Sequence, residues 1–203
     1  LIGKSAQVLV VHPSLPAKSV KELVALARAR PGMINFASSG QGSTAHLASE
    51  LFKATAKLDI VHIPYKGAGP ALTDLAGGQT QMMITGISTT LPYIKAGRLR
   101  PLGVTSAQRV AVLPQVPPIA EAVPGYEVTT WYGLLAPAGT APAVIARLNK
   151  ETAAALENPT VKSKIAASGV DAQTNTPEQF KASIADDVVR LRDIVERAKI
   201  PLR

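Results

Sequence analysis

The 203-residue chain contains no cysteine, which removes disulfides, zinc–thiolate sites and thiol nucleophiles at once. Aromatic residues are scarce, at 4% with a single Trp, so the stacking platforms that grip single strands of nucleic acid are few. Charged residues make up 18%, and the Lys and Arg residues are scattered rather than gathered in a run, which argues against nucleic acid as a partner. No apolar run approaches the roughly 18 residues needed to span a membrane, so no direct membrane insertion is expected. No signal peptide is visible, and the abrupt start at LIGKSAQVLVV reads like the interior of a domain, as in a mature or truncated product. An absence of cysteine also fits an oxidising compartment.

What is present can fold. Hydrophobic residues are 46% of the chain, enough for one larger domain or two small ones. The net charge of +8 is uneven: residues 1–125 hold 12 Lys and Arg against 5 Asp and Glu, hence +7, and residues 126–203 hold 10 against 9, hence +1. A basic surface of this kind raises the encounter rate with anions.

Strand and helix signals alternate regularly through the first half. VLVVH (8–12) reads as strand, and Ser19 to Glu22 as a capping box opening a helix that Pro31-Gly32 stops. Strands are expected at 34–38, 60–65, 81–85 and 100–106, with helices at 43–58, 69–76 and 88–96. Five strands with four intervening helices predict a parallel, doubly wound α/β sheet, in which ligands sit beyond the carboxyl ends of the strands. The places to look are then His12 onward, Ser38 to Thr44, Tyr65 to Gly69, and Thr85 to Thr89. After Ser106 four prolines interrupt the pattern. A long strand is expected over 126–137, helices over 141–156 and 159–167, and a last helix behind the capping box Thr176-Pro177-Glu178-Gln179, with Phe180, Ile184, Val188, Leu191 and Val195 as its stripe.

The stretch FASSGQGSTAHLASELF (36–52) carries the most chemistry. Ser43 is a good N-cap, and behind it Leu47, Leu51, Ala54 and Leu58 recur at helical spacing. Gly40 and Gly42 allow unusual backbone angles and close approach to the main chain. Free N–H groups at the start of a helix then suit an anion. The same features also make a tight strand-to-helix turn with no ligand.

Other chemistries fail on position. Gly40 to Ala45 fits the G-x-G-x-x-A dinucleotide fingerprint, but the acid it requires should end the next strand, and Asp59 precedes that strand. There is no P-loop and no nucleophile elbow. His12, His46 and His62 are not at metal-ligand spacings and read as structural, and no nucleophile, base and oxyanion site assemble, so no enzyme, metal site or cofactor is expected. Hydroxyls, glycines and one lysine remain at strand exits, a set suited to holding and releasing a carboxylate. Lys66, a lone lysine in a loop, equally reads as a solvated surface charge.

The runs NFASSGQGSTAHLASELF, VHIPYKGAGPALTDLAGGQTQMM, LPYIKAGRLRPLGVTSAQR and WYGLLAPAGTAPAVIARLN resemble, in order and over essentially the whole chain, the periplasmic solute receptors of tripartite tricarboxylate transporters (the Bug family). The resemblance implies a two-lobed Venus-flytrap fold that closes on a small organic anion and delivers it to the membrane transporter subunits of the same system. It also implies a periplasmic location and a carboxylate seated at Ser38 to Thr44, held largely by main-chain N–H groups and bridging waters. On this reading residues 1–11 are a crossover strand from the first lobe, 12–125 a complete second lobe, and 126–203 the returning, incomplete part of the first lobe. The N-terminal half of the first lobe, with its Pro/Gly ligand loop, is missing from the pattern. Thr85-Gly86-Ile87-Ser88 sits where many relatives carry an acidic residue. The candidate ligand-binding set is Ser38, Ser39, Gly42, Ser43, Thr44, Tyr65, Lys66, Gly67, Thr85, Ser88 and Trp131. The effector domain of a LysR-type transcriptional regulator is the alternative, since it shares the size, the two-lobed fold and a taste for small acids.

Overall fold

A computed structural model of the chain, which describes residues 1–197, realises the alternation with one reversal. The strands are β1 (Gly3–Val11), β2 (Asn35–Ser38), β3 (Val61–Pro64), β4 (Met82–Gly86), β5 (Arg100–Val104), β6 (Thr129–Tyr132) and β7 (Val170–Ala172). The helices are α1 (Val20–Ala29), α2 (Thr44–Ala56), α3 (Ala68–Ala76), α4 (Ile87–Lys95), α5 (Pro142–Glu157), α6 (Pro159–Ala167) and α7 (Pro177–Arg197). The caps fall where side chains permit them. Ser19 accepts from the Glu22 N–H at the start of α1, and Thr176 and Gln179 exchange reciprocal bonds of 3.2 and 3.0 Å ahead of α7. The proline-rich stretch holds only a 3-10 turn at Ile119–Glu121.

The strands run in the order β3-β2-β4-β1-β5, with β6 and β7 also on β1. Strand β2 is parallel to β3 and β4, but β1 is antiparallel to both β4 and β5. The sheet is therefore mixed: the expected parallel order holds for β2, β3 and β4, and β1 runs against its neighbours. Strand β1 also begins earlier than expected, because Gly3 to Ala6 pair with β6 on one side and Gly3 to Ser5 with β7 on the other. The reversal moves His12 to the opposite edge of the sheet. Its N–H donates to the Gln81 carbonyl just ahead of β4, so it stands away from the other three candidate loops.

Alternation along β1 builds two apolar layers. Leu9 and Val11 join Phe36, Phe52, Met82, Ile84 and Tyr126 on one face, and Val8 and Val10 join Ala71, Leu72, Leu75 and Met83 on the other. Tyr126 is fully buried, with its hydroxyl donating to the Ala48 carbonyl at 3.0 Å and its ring edge-on to Phe52.

Three expectations about faces need correction. On α2 the buried line is Ala45, Ala48, Phe52 and Ala56; Leu47 and Leu51 are half-buried and Ala54 is exposed. The strand expected over 126–137 shortens to β6, because the Phe180 ring lies against the backbone of Gly133 and Leu134 and Leu135 beyond it are exposed. On α7 the stripe turns partly outward, with Phe180 and Ile194 buried and Val188 and Leu191 exposed.

Candidate functional site

Three helices start at one edge of the sheet. Helices α2, α3 and α4 each follow a parallel strand, and since β2 lies between β3 and β4 the start of α2 is in the middle. None of the three has an acidic residue in its first turn, whereas α1, which starts at the opposite edge behind the reversed strand, carries Glu22. The caps of α3 and α4 are Gly67 and Gly86, with no side-chain bond to the first turn. The N–H groups and the positive dipole ends at this edge are thus left uncompensated by the protein's own carboxylates.

The turn between β2 and α2 is tightly specified. Ser38 is buried, and its hydroxyl lies 2.6 Å from His62 Nε2 and 3.2 Å from both the N and the O of Gly40. Gly40 has φ +131°, and a Cβ there would stand 3.2 Å from the Tyr65 carbonyl, so glycine is required by both angle and space. Gly42, with φ +75°, has open space around it. Its N–H donates to His46 Nδ1 at 3.1 Å. Ser43 caps α2, accepting from the His46 N–H while its hydroxyl donates to the Gly40 carbonyl at 2.7 Å. The Ser43 N–H also turns inward to Gly40. With the Gly42, Ser43 and His46 N–H groups engaged inside the turn, those of Thr44 and Ala45 are the remaining donors of the first turn of α2.

The neighbouring loop is laced to this turn. The Tyr65 N–H donates to the Ser38 carbonyl and the Gly67 N–H to that of Ser39, each at 3.1 Å, which brings Ser38, Ser39, Tyr65, Lys66 and Gly67 together. The Tyr65 hydroxyl donates to Asp74 Oδ2 at 2.8 Å and so ties the loop to α3; burial, then the Asp74 carboxylate, hold its pKa above the usual phenol value. Lys66 is exposed. One strand over, Thr85 is buried near the end of β4, paired with Val8, and Ser88 is exposed in the first turn of α4. Trp131 is on β6, edge-on to Phe180 at 5.0 Å. It shares with Thr44 a hollow of about 240 Å³ that Leu47, Val128, Asp187 and Arg190 also line.

Two residues of the cluster were read from the sequence as structural and left out of the candidate set: His46 and His62. Their rings stack at 4.0 Å, and Phe36 stacks on the far face of His62 at 4.9 Å. Burial, followed by the charges of His46 and Lys53, depresses His62 to about 4. His46 is lowered by burial and by Lys53, while burial raises Glu50 against the pull of Lys53. Glu50 Oε1 is 3.7 Å from His46 Nε2, beyond hydrogen-bonding reach. The signal available in sequence was the spacing, since His46 follows Gly42 by four residues and so returns to the turn from the first coil of the helix. Among the described residues no group of acids and histidines is placed to hold a metal ion, and no helix is long and apolar enough to cross a membrane.

Known proteins resemble this chain in sequence and in fold. The family model described as the tripartite tricarboxylate transporter family receptor matches residues 1–200. The chain belongs to that family. Its members are substrate-binding receptors rather than enzymes. Among curated relatives, a protein of the tcbD–tcbE intergenic region of a Pseudomonas species is 42% identical over 93% of this chain and 56% of its own length. Protein BugT of Bordetella pertussis is 37% identical over 100% of this chain and 63% of its own. The receptor-family chain thus spans somewhat over half the length of these two relatives. Among solved structures, Rpa4515 of Rhodopseudomonas palustris with adipate is 36% identical with a TM-score of 0.89, covering 98% of this chain and 67% of that one. MatC from the same species, with bound malate, is 28% identical with a TM-score of 0.79, covering 95% and 67%. These neighbours establish the periplasmic-binding-protein fold.

Proposed function

We propose that the chain is the greater part of an extracytoplasmic receptor that reversibly binds a small organic anion, a dicarboxylate or a similar acid, and delivers it to membrane transporter subunits of the same system, working in the periplasm. The observation that carries this reading is the edge where α2, α3 and α4 start together without a first-turn acid among them. A carboxylate there meets the first-turn N–H groups of Thr44 and Ala45, the hydroxyls of Ser39, Thr44 and Ser88, and the Lys66 ammonium nearby, with no buried ion pair to slow release. The adipate and malate held by the two solved relatives are acids of the expected size and charge.

In this reading residues 1–11 cross between lobes, 12–125 form the second lobe, and 126–203 return to the first; residues 198–203 lie outside the described residues. The second lobe supplies one jaw of the clamp. Calorimetric titration with adipate, malate and a tricarboxylate, beside the uncharged diamide of adipate, tests the chemistry. Saturable binding of at least one acid and none of the diamide is expected, and equal binding of acid and diamide would overturn it. Association should slow as salt rises, because the basic body steers anions.

A further inference from the structure

The stacked imidazoles under the turn do more than fill space. His46 Nδ1 accepts the Gly42 N–H, which requires a lone pair on that nitrogen and places the ring proton on Nε2, toward Glu50. The ring cannot swing away, because it stacks on His62, which stacks on Phe36 in turn. His62 meanwhile holds the Ser38 hydroxyl, the same oxygen that accepts the Gly40 N–H. Both ends of the turn thus rest on one aromatic pile. We propose that the His46–His62 pair is the support that sets the conformation of the Ser39–Gly42 turn, and that the turn keeps that conformation only while His46 is neutral.

Protonation of His46 puts a second N–H against that of Gly42 across about 3 Å. Two donors cannot share that space, and the ring is wedged, so the backbone yields. The groups that bear on the ring's charge are Glu50 and Lys53 on its own helix and His62 from β3. Strands β2 and β4 face it with no ionisable side chain, and α7 brings Asp187 and Arg190, already paired at 2.7 Å, to the start of α2. Burial and Lys53 both keep His46 neutral at neutral pH.

The consequence for anion binding rests on the function proposed above, whereas the support itself is testable without ligand. Amide hydrogen exchange at Gly42, normalised to the intrinsic rate, would be followed by NMR on the full chain and on His46→Asn and His46→Phe. Asn places its Oδ1 where Nδ1 stood. At pH 7 the Gly42 amide should be protected in the parent and in His46→Asn, and about tenfold less protected in His46→Phe. On acidification the parent should lose Gly42 protection in step with the His46 titration, below its usual 6.5, while His46→Asn keeps it. Equal protection in all three proteins, or the same acid loss in His46→Asn, would overturn the proposal. If His46→Phe fails to fold, the acid comparison of parent and Asn variant decides alone. Titration of the same samples with adipate, malate and a tricarboxylate separates the two readings: a turn that behaves as described in a protein that binds none of the three refutes the anion seat and leaves the support standing.

Discussion

Helix α2 buries side chains along most of its 13 residues, from Ala45 to Ala56, whereas α5, with 16, buries Leu156 and α6 buries none. Both regions have sound local signals. The tail has its capping box at Thr176 and Gln179 and the Asn158 cap of α6, just as the body has Ser43. What differs is the layer behind them. The body helices lie on a sheet whose two faces are fully occupied. Helices α5 and α7 line a hollow of about 640 Å³ bounded by Leu134, Leu135, Ile145, Leu148, Phe180 and Ile184. Caps and propensity suffice to make a helix, but its apolar stripe is buried only when another layer meets it.

The contrast can be attacked by mutation, starting with the deepest packing. Phe52→Ala empties a fully buried site against Tyr126 and should lower unfolding stability by roughly 3–5 kcal/mol. Denaturant titration would read this, and a loss below about 1 kcal/mol would erase the distinction between body and tail. Gly42→Asp should act on binding instead. It sets a fixed negative charge at the edge with no first-turn acid, in a position open to solvent, and should weaken dicarboxylate affinity by about 3 kcal/mol, near a hundredfold. Circular dichroism should show a folded protein, and calorimetry giving the parent's affinity would move the anion elsewhere.

Acid should weaken the body through His62. Its folded value near 4 lies below the ordinary 6.5 of an unfolded chain, so the unfolded state takes up the proton first. This contribution is whole above about 6.5 and is lost as pH falls toward 4. Stability measured at intervals over that range should show the slope, and His62→Gln should flatten it. A smaller effect, about 1 kcal/mol, is expected from Ser43→Ala, which removes the cap of α2. Smallest is Leu148→Ala, 47% exposed on α5, which should change stability by less than about 0.5 kcal/mol. A much larger loss there would mean that the tail face is covered in solution, which sedimentation would reveal as self-association.

Much of this was legible beforehand because the signals are local. Ser19, Ser43 and Thr176 announce their helices through hydroxyls within three residues, and Gly77-Gly78 and Pro31-Gly32 stop theirs. The direction of β1 was not legible, since it depends on pairing with β4 and β5, both far along the chain. Face assignments on α2 differ because that helix touches both the sheet and α7: Leu47 lines the hollow toward α7, while Leu51 packs at the margin of the core. At the site, the serines and glycines are visible as a composition; the inward use of the Gly42 and Ser43 N–H groups is set by the exact local geometry of the turn, and the histidine pile beneath them arises only once β3 lies beside β2.

Strand β1 has a bearing on how the chain acquires its form. It is synthesised ahead of every strand it pairs with, and its ladder to β7 closes only after Val170 has been made. Its run of Val8 to Val11, fully enclosed at the end, has no neighbour on either side until β4 and β5 have been made. Contacts of such separation make folding slow, and an unpaired apolar strand invites association with other chains. The sheet should therefore close last at the N-terminal end of β1, once Val170 has been made.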